Sequence, residues 1–126
     1  MTLRILIADD SRSLRQALKN MLSLSPERWE ICGEAADGYE AVRQTVELKP
    51  DVVLLDLSIP ALSGIEVVKT LREQHSAAKV VLMSQQDPEI MKRLATSAGV
   101  ALYVAKAQLV TELPLVLQRI SEGESK

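Results

Sequence analysis

Apolar and polar residues alternate along the chain in two regimes. Short unbroken runs of leucine and β-branched residues are separated by longer stretches in which apolar residues return every third or fourth position. Leu3 to Ala8 (LRILIA), Val52 to Leu55 (VVLL) and Lys79 to Met83 (KVVLM) are of the first kind. The VVLL run shows no polar alternation, the mark of a strand buried on both faces. Trp29 to Glu34 (WEICGE) alternates more, as a strand nearer a sheet edge does, and Val100 to Ala105 supplies another strand. Helical spacing fills the intervals. The inner faces are predicted to be Leu14, Leu18, Met21 and Leu22, then Ala41, Val42, Thr45, Val46 and Leu48, then Ile65, Val68 and Leu71. Two further helices follow, with Ile90, Met91, Leu94 and Ala95 inward in one and Leu109, Leu113, Val116 and Ile120 in the other.

The punctuation agrees with these intervals. Ser13 and Gln16 are spaced as a capping box for the first helix, and Pro26 breaks the chain after it. Asp37 caps the second helix with Glu40 three residues on, and Lys49-Pro50 ends it. Pro60 and Gly64 bracket a loop before the third. Asp87-Pro88 opens the fourth and Gly99 closes it. Thr111 is the predicted N-cap of the last helix, with Pro114 in its first turn, where a missing amide is tolerated.

Strands alternating with helices in this way predict an α/β fold: a doubly wound, five-stranded parallel sheet with right-handed crossovers, covered by helices on both faces as a three-layer sandwich. Strand order 2-1-3-4-5 places a crevice between the C-terminal ends of strands one and three. Asp9 and Asp10 end the first strand and Asp56 ends the third, so that crevice would collect three carboxylates. Each pair repels by about 4 kcal/mol at about 4 Å and an effective dielectric near about 20, so a cation belongs there. An all-oxygen donor set favours Mg²⁺, which keeps waters and takes phosphoryl oxygens as ligands. Ser84 and Lys106, ending strands four and five, bring a hydroxyl and an ammonium to the same edge. A nucleophilic Asp, a divalent metal and a lysine are the parts that aspartyl phosphate chemistry needs.

Composition narrows the choice of partners. A chain of 126 residues is one domain. One Trp, two Tyr and no Phe leave little for stacking on nucleobases. A net charge of −2 gives no basic footprint for DNA. Cys32 is a single small buried hydrophobe of a reducing compartment, and neither a signal peptide nor a membrane-spanning apolar run is present, so the chain is expected to be cytoplasmic. The one histidine, His75, falls near a helix C-terminus and has no partners for a metal cluster or a triad.

Asp9-Asp10, EAADGYEAV from Glu34 to Val42, DVVLLDLSIPALSGIEV from Asp51 to Val67, and Ser84, Gly99, Tyr103 and Lys106 at their strand ends resemble the receiver domains of two-component response regulators. The likeness is to receivers of the LuxR-type, helix-turn-helix class in particular, over essentially the full length. It implies a flavodoxin-like receiver domain over residues 1–122 with a polar tail at 123–126. It implies that Asp56 accepts a phosphoryl group from a histidine kinase or phosphotransfer protein, with Asp10 a direct Mg²⁺ ligand and Asp9 acting largely through water. The Ser58 carbonyl would be another ligand, Lys106 would pair with the acyl phosphate, Ser84 would hydrogen-bond a phosphoryl oxygen, and Tyr103 would be the rotameric switch. Such a domain catalyses only its own phosphorylation and dephosphorylation. Its output would pass through helix four, strand five and helix five to a second copy or a downstream protein, with no nucleic acid bound by this chain alone.

Departures from the family pattern bear on function. Gln85 stands where a small residue is usual and could crowd the pocket, and Ala107 follows Lys106 where a proline or an acid is common. Regulators of the LuxR class carry a C-terminal DNA-binding domain, so the chain is expected to be either a solitary receiver or a piece of such a regulator. A phosphatase of the haloacid dehalogenase type would want an acid where Ser58 stands, and a nucleotide or flavin binder would want a glycine-rich or hydroxyl-rich loop where Asp9-Asp10-Ser11 stands. The remaining alternative is a phosphate-independent receiver acting as a protein-binding scaffold.

Overall fold

The computed structural model describes residues 2–123. Strands and helices alternate as predicted: β1 (Leu3–Ala8), α1 (Arg12–Ser23), β2 (Trp29–Ala35), α2 (Gly38–Leu48), β3 (Val52–Asp56), α3 (Gly64–Glu73), β4 (Lys79–Ser84), α4 (Pro88–Ala98), β5 (Leu102–Ala105) and α5 (Leu109–Ser121). A 3-10 turn, Lys106–Gln108, leads into α5. The strands form one parallel five-stranded sheet in the order β2-β1-β3-β4-β5, the flavodoxin-like arrangement expected from the sequence. Apart from Gly123, the predicted tail lies outside the described residues.

Pleating explains the uniformly apolar strands. Leu3, Ile5 and Ile7 of β1, Val52 and Leu54 of β3, and Val81 and Met83 of β4 pack against Leu18 and Leu22 of α1 and Leu113 and Leu117 of α5. The residues between them, Leu6, Ala8, Val53, Leu55 and Leu82, pack on the other side against Ala41 of α2, Val67 and Leu71 of α3, and Met91 and Ala95 of α4. Both faces of each central strand are therefore buried, and each such leucine or valine contributes about 1.5–3 kcal/mol. The chain winds to the second layer after β2 and returns only for α5. The reversal between β1 and β3 opens the crevice at their C-terminal ends.

The edge strand β2 is less regular. Ile5 pairs with Ile31 but Leu6 pairs with Gly33, leaving Cys32 as the extra residue of a bulge. Cys32 is half-buried, and burial pushes its thiol pKa up.

Several local expectations are corrected. Helix α1 is capped by Ser11, whose Oγ accepts the Leu14 N–H at 3.2 Å, while Ser13 lies inside the helix and Gln16 hydrogen-bonds Asn20. The helix starts one residue after Ser11 because Asp9 folds back on the Ser11 amide and turns the chain early. Helix α5 begins at Leu109, before Thr111, because the 3-10 turn has already set the helical direction; Thr111 bonds back to the Gln108 carbonyl, and Pro114 sits within the helix. Val46 and Ile90, predicted inward, are exposed. Each flanks a narrower apolar stripe that Thr45 and Met91 already fill. Strand β5 starts at Leu102 because Gly99 ends α4 in a left-handed turn whose following amide, that of Val100, returns to Ala95. The third helix carries a full capping box that the sequence reading did not name, with Ser63, in the loop bracketed by Pro60 and Gly64, as N-cap and Glu66 of the helix as its partner.

The loop from β3 to α3 holds a strained residue. Ala61 has φ 71°, and the Leu62 amide donates across it to the Pro60 carbonyl at 2.8 Å, a tight turn that L-residues adopt at a cost. Ala61→Gly is therefore expected to stabilise the fold by about 0.5–1 kcal/mol, after allowing for glycine's greater freedom when unfolded. The midpoint of urea denaturation measures it; a lower midpoint would contradict the strain.

Candidate functional site

Four strand ends, those of β1, β3, β4 and β5, supply the side chains of the site. Asp9 follows β1 directly and is fully buried. Its amide donates to the Ala35 carbonyl at 3.0 Å, its carbonyl accepts from Arg15 Nη1 at 2.7 Å, and its Oδ1 accepts from the Ser11 amide at 2.8 Å. Asp56 is the last residue of β3 and 5% exposed; its Oδ1 accepts from the Ser58 amide at 3.2 Å. Lys106 reaches across from the end of β5, placing Nζ 2.8 Å from Asp9 Oδ2 and 3.4 Å from Asp56 Oδ1. Asp9 Oδ2 has no hydrogen bond of good geometry, so the ammonium holds it by charge alone. Asp10 is exposed at the rim. Ser84, at the end of β4, is buried, and its hydroxyl accepts the Gln86 amide at 2.9 Å. These residues, with Ser58 and Gln85, line a cavity of about 450 Å³.

The electrostatics follow from crowding. Burial pushes the Asp56 carboxyl above the ordinary aspartate value and the charge of Asp9 adds to it; the Ser58 amide and Lys106 pull the other way without cancelling it. Burial works against the Lys106 ammonium, yet its close pairing with the Asp9 carboxylate and the charge of Asp56 outweigh it and hold its pKa above the ordinary lysine value. One cation thus serves two buried carboxylates. A third, Asp10, offers an oxygen within 4.8 Å of one from each of the others. Three oxygens so close, with a buried Asp9 oxygen lacking a hydrogen bond, fit a small hard divalent cation. The Ser58 carbonyl is spare as well, accepting no hydrogen bond from the described residues.

The crevice therefore collects Asp9, Asp10, Asp56, Ser58, Ser84 and Lys106, all of which the sequence pointed to. Tyr103 stands apart, half-buried in the middle of β5, paired with Leu82 and packed on the side of α2, α3 and α4. Gln85 is exposed at the cavity wall. Ala107 lies in the 3-10 turn behind Lys106, and no peptide bond among the described residues is cis. Sequence reading missed the layer beneath the acids. Glu34 accepts from Arg15 Nε at 3.0 Å and from Lys19 Nζ at 2.8 Å, and these hold its carboxyl below the ordinary glutamate value, Lys19 first. The available signal was the spacing of Arg15 and Lys19, four apart on one helix face.

A doubly wound sheet with three acids and a lysine at its switch point defines a class, and the sequence comparison agrees with it. Residues 5–118 match the response regulator receiver domain, and the chain belongs to that family. Within it, the similarity runs to regulators of the LuxR type. A two-component response regulator of the LuxR family from Aurantimonas sp. SI85-9A1 superposes with a TM-score of 0.89 at 30% identity, over 99% of this chain and 89% of that one. The transcriptional regulatory protein LiaR of Bacillus subtilis (strain 168) is 33% identical over 124 residues, 98% of this chain but 58% of LiaR. The chemotaxis protein CheY of Thermotoga maritima is 31% identical over 119 residues, 94% of this chain and 98% of CheY. The chain thus spans little more than half of LiaR and nearly all of CheY. No described helix is long and apolar enough to cross a membrane.

Proposed function

We infer that this receiver is the phosphoacceptor of a two-component relay and that Asp56 is the residue modified. The observation that supports it most is the setting of that carboxylate: Oδ1 is tied to the Ser58 amide and faces Lys106, while Oδ2 makes no hydrogen bond with the described residues in a cavity lined by Asp10 and Ser84. The donor is a phosphohistidine on a sensor kinase or phosphotransfer protein. An Asp56 oxygen forms the new P–O bond as the P–N bond breaks, its electron pair passing to the imidazole nitrogen. Asp10, Asp56 and the Ser58 carbonyl would hold Mg²⁺, with Asp9 acting largely through water. The ion supplies charge neutralisation on the phosphoryl oxygens. Lys106 pairs with the same oxygens. Ser84 exchanges its bond with the Gln86 amide for one donated to the phosphoryl group, and the movement frees space for Tyr103 to turn inward.

The output surface is then α4, β5 and α5, read by a second copy or a downstream protein. The net charge of −2 gives this chain no means of holding DNA itself, and the cytoplasm is its expected place. The test is incubation with acetyl phosphate and Mg²⁺ followed by intact-mass measurement. The native chain is expected to gain one phosphoryl group, and Asp56→Asn or chelation of the metal is expected to abolish the gain. A gain that survives in Asp56→Asn would remove Asp56 from this role.

A further inference from the structure

The acids that would hold the metal are themselves held unequally. Asp9 is fixed through its amide, its carbonyl and both carboxylate oxygens. Asp10 is exposed and makes no side-chain hydrogen bond or ion pair with the described residues. Its direction is set only by the backbone from which it projects. That backbone begins with the peptide joining Asp9 to Asp10, and the oxygen of this peptide is the one that Arg15 Nη1 grips at 2.7 Å. Arg15 is in turn held from the far side by Glu34, at 3.0 Å, and its side chain is only 15% exposed. Glu34 is anchored by Lys19 through its carboxylate and by Gln44 Nε2, at 2.6 Å, through its carbonyl. The guanidinium is a rigid plane whose Nε and Nη1 hold the two oxygens in fixed directions, whereas an ammonium is a point charge on a flexible stem and fixes direction less.

We propose that Arg15, braced by Glu34, is a positioning residue for the divalent cation: it fixes the Asp9–Asp10 peptide so that the Asp10 carboxylate is aimed into the crevice before the ion arrives. This rests on the reading of the crevice as a Mg²⁺ and phosphoryl site. Charge and position predict opposite signs for its removal. A guanidinium bound to the Asp9 carbonyl adds positive charge beside the crevice and repels an incoming cation, so by charge alone its loss should tighten metal binding. If Arg15 acts by position, its loss weakens binding, as the removal of an outer support for a metal ligand does, by about tenfold.

The experiment is titration of the full chain with Mg²⁺ alone, followed by the amide shifts of Asp10, Leu57 and Ser58, in the native chain and in Arg15→Ala, Arg15→Lys and Glu34→Gln. Arg15→Ala is expected to raise the Mg²⁺ dissociation constant about tenfold. Arg15→Lys keeps the charge and is expected to recover only part of that loss. Glu34→Gln, which retains an acceptor for Nε, is expected to change affinity less than Arg15→Ala. Should Arg15→Ala not fold, a native affinity in Arg15→Lys would still overturn the proposal, as would unchanged or tighter binding in Arg15→Ala. A native chain that bound no Mg²⁺ and took no phosphoryl group would instead overturn the reading of the crevice, and this inference with it.

Discussion

Lys106→Met is expected to slow phosphoryl uptake by Asp56 by about a hundredfold or more, the usual effect of deleting a preorganised charge beside developing anionic oxygens. The same substitution should weaken the fold. Asp9 bears the consequence, because its buried Oδ2 has the ammonium at 2.8 Å and no hydrogen bond. Removing one partner of a buried pair leaves an uncompensated charge and costs about 3–5 kcal/mol. Added Mg²⁺ should return part of this, since a cation in the crevice replaces the missing one. Acidity shifts with it. Lys106 is among the influences holding the Asp56 pKa down against burial, so its loss moves that pKa further above the ordinary value. With its pKa raised in the fold, Asp56 holds its proton more tightly folded than unfolded, and its ionisation takes stability away as pH rises past the unfolded value of about 4. The acid limb of the phosphorylation rate should therefore move to higher pH in the variant, because the ionised carboxylate is the nucleophile we propose for the transfer. Rates of mass gain across pH, with urea denaturation in the presence and absence of Mg²⁺, measure both effects. A variant with native rates throughout would show that Lys106 lies outside the chemistry. Adding Asp9→Asn to Lys106→Met should recover stability but not rate, separating the structural share of the lysine from the chemical one.

The fold was legible because its strands are too apolar to be anything but central. Val52 to Leu55 have both faces buried, and only a sheet covered on both sides permits that. The site was legible for a related reason: a charge directly after such a run must sit at the strand's exit, so Asp9, Asp56 and Lys106 announced themselves by position. Helix boundaries were less readable, because they depend on which of several competent residues wins. Ser11 and Ser13 could each cap α1, and the choice fell to Ser11 only because Asp9 captures its amide. Thr111 looked like a cap because Pro114 follows it, yet the turn at Lys106–Gln108 launches α5 earlier. The support beneath the acids was harder to read for another reason, the spacing of Arg15 and Lys19 marking a helix face but not its partner. Arg15 and Glu34 come from α1 and β2, and nothing along the chain ties a helical arginine to the carbonyl of Asp9 until the tertiary fold brings them together.

Gly38→Ala is expected to destabilise the protein by about 2–3 kcal/mol, although alanine is the better helix former by about 1 kcal/mol. Gly38 opens α2, and its amide donates to the Pro60 carbonyl at 2.9 Å, pressing the start of that helix against the loop from β3 to α3. A Cβ built there would overlap the Leu62 carbonyl oxygen and lie 2.5 Å from Leu62 Cβ. The obstacle is backbone, so no rotamer change relieves it. Either α2 or the loop must shift. The loop is the weaker side, since Ala61 already holds it in a strained turn, and it is also the segment that carries the Ser58 carbonyl. The variant should consequently lose Mg²⁺ affinity along with stability, although Gly38 touches none of the acids. Urea denaturation gives the stability change, and a Mg²⁺ titration read at the Ser58 amide gives the second. Truncation at Leu62→Ala keeps both the Cβ and the carbonyl, so the double variant should recover neither property. If Gly38→Ala instead proved as stable as the native chain, α2 and the loop would be free to separate, and the contact at Pro60 would not be what fixes the segment that carries the Ser58 carbonyl.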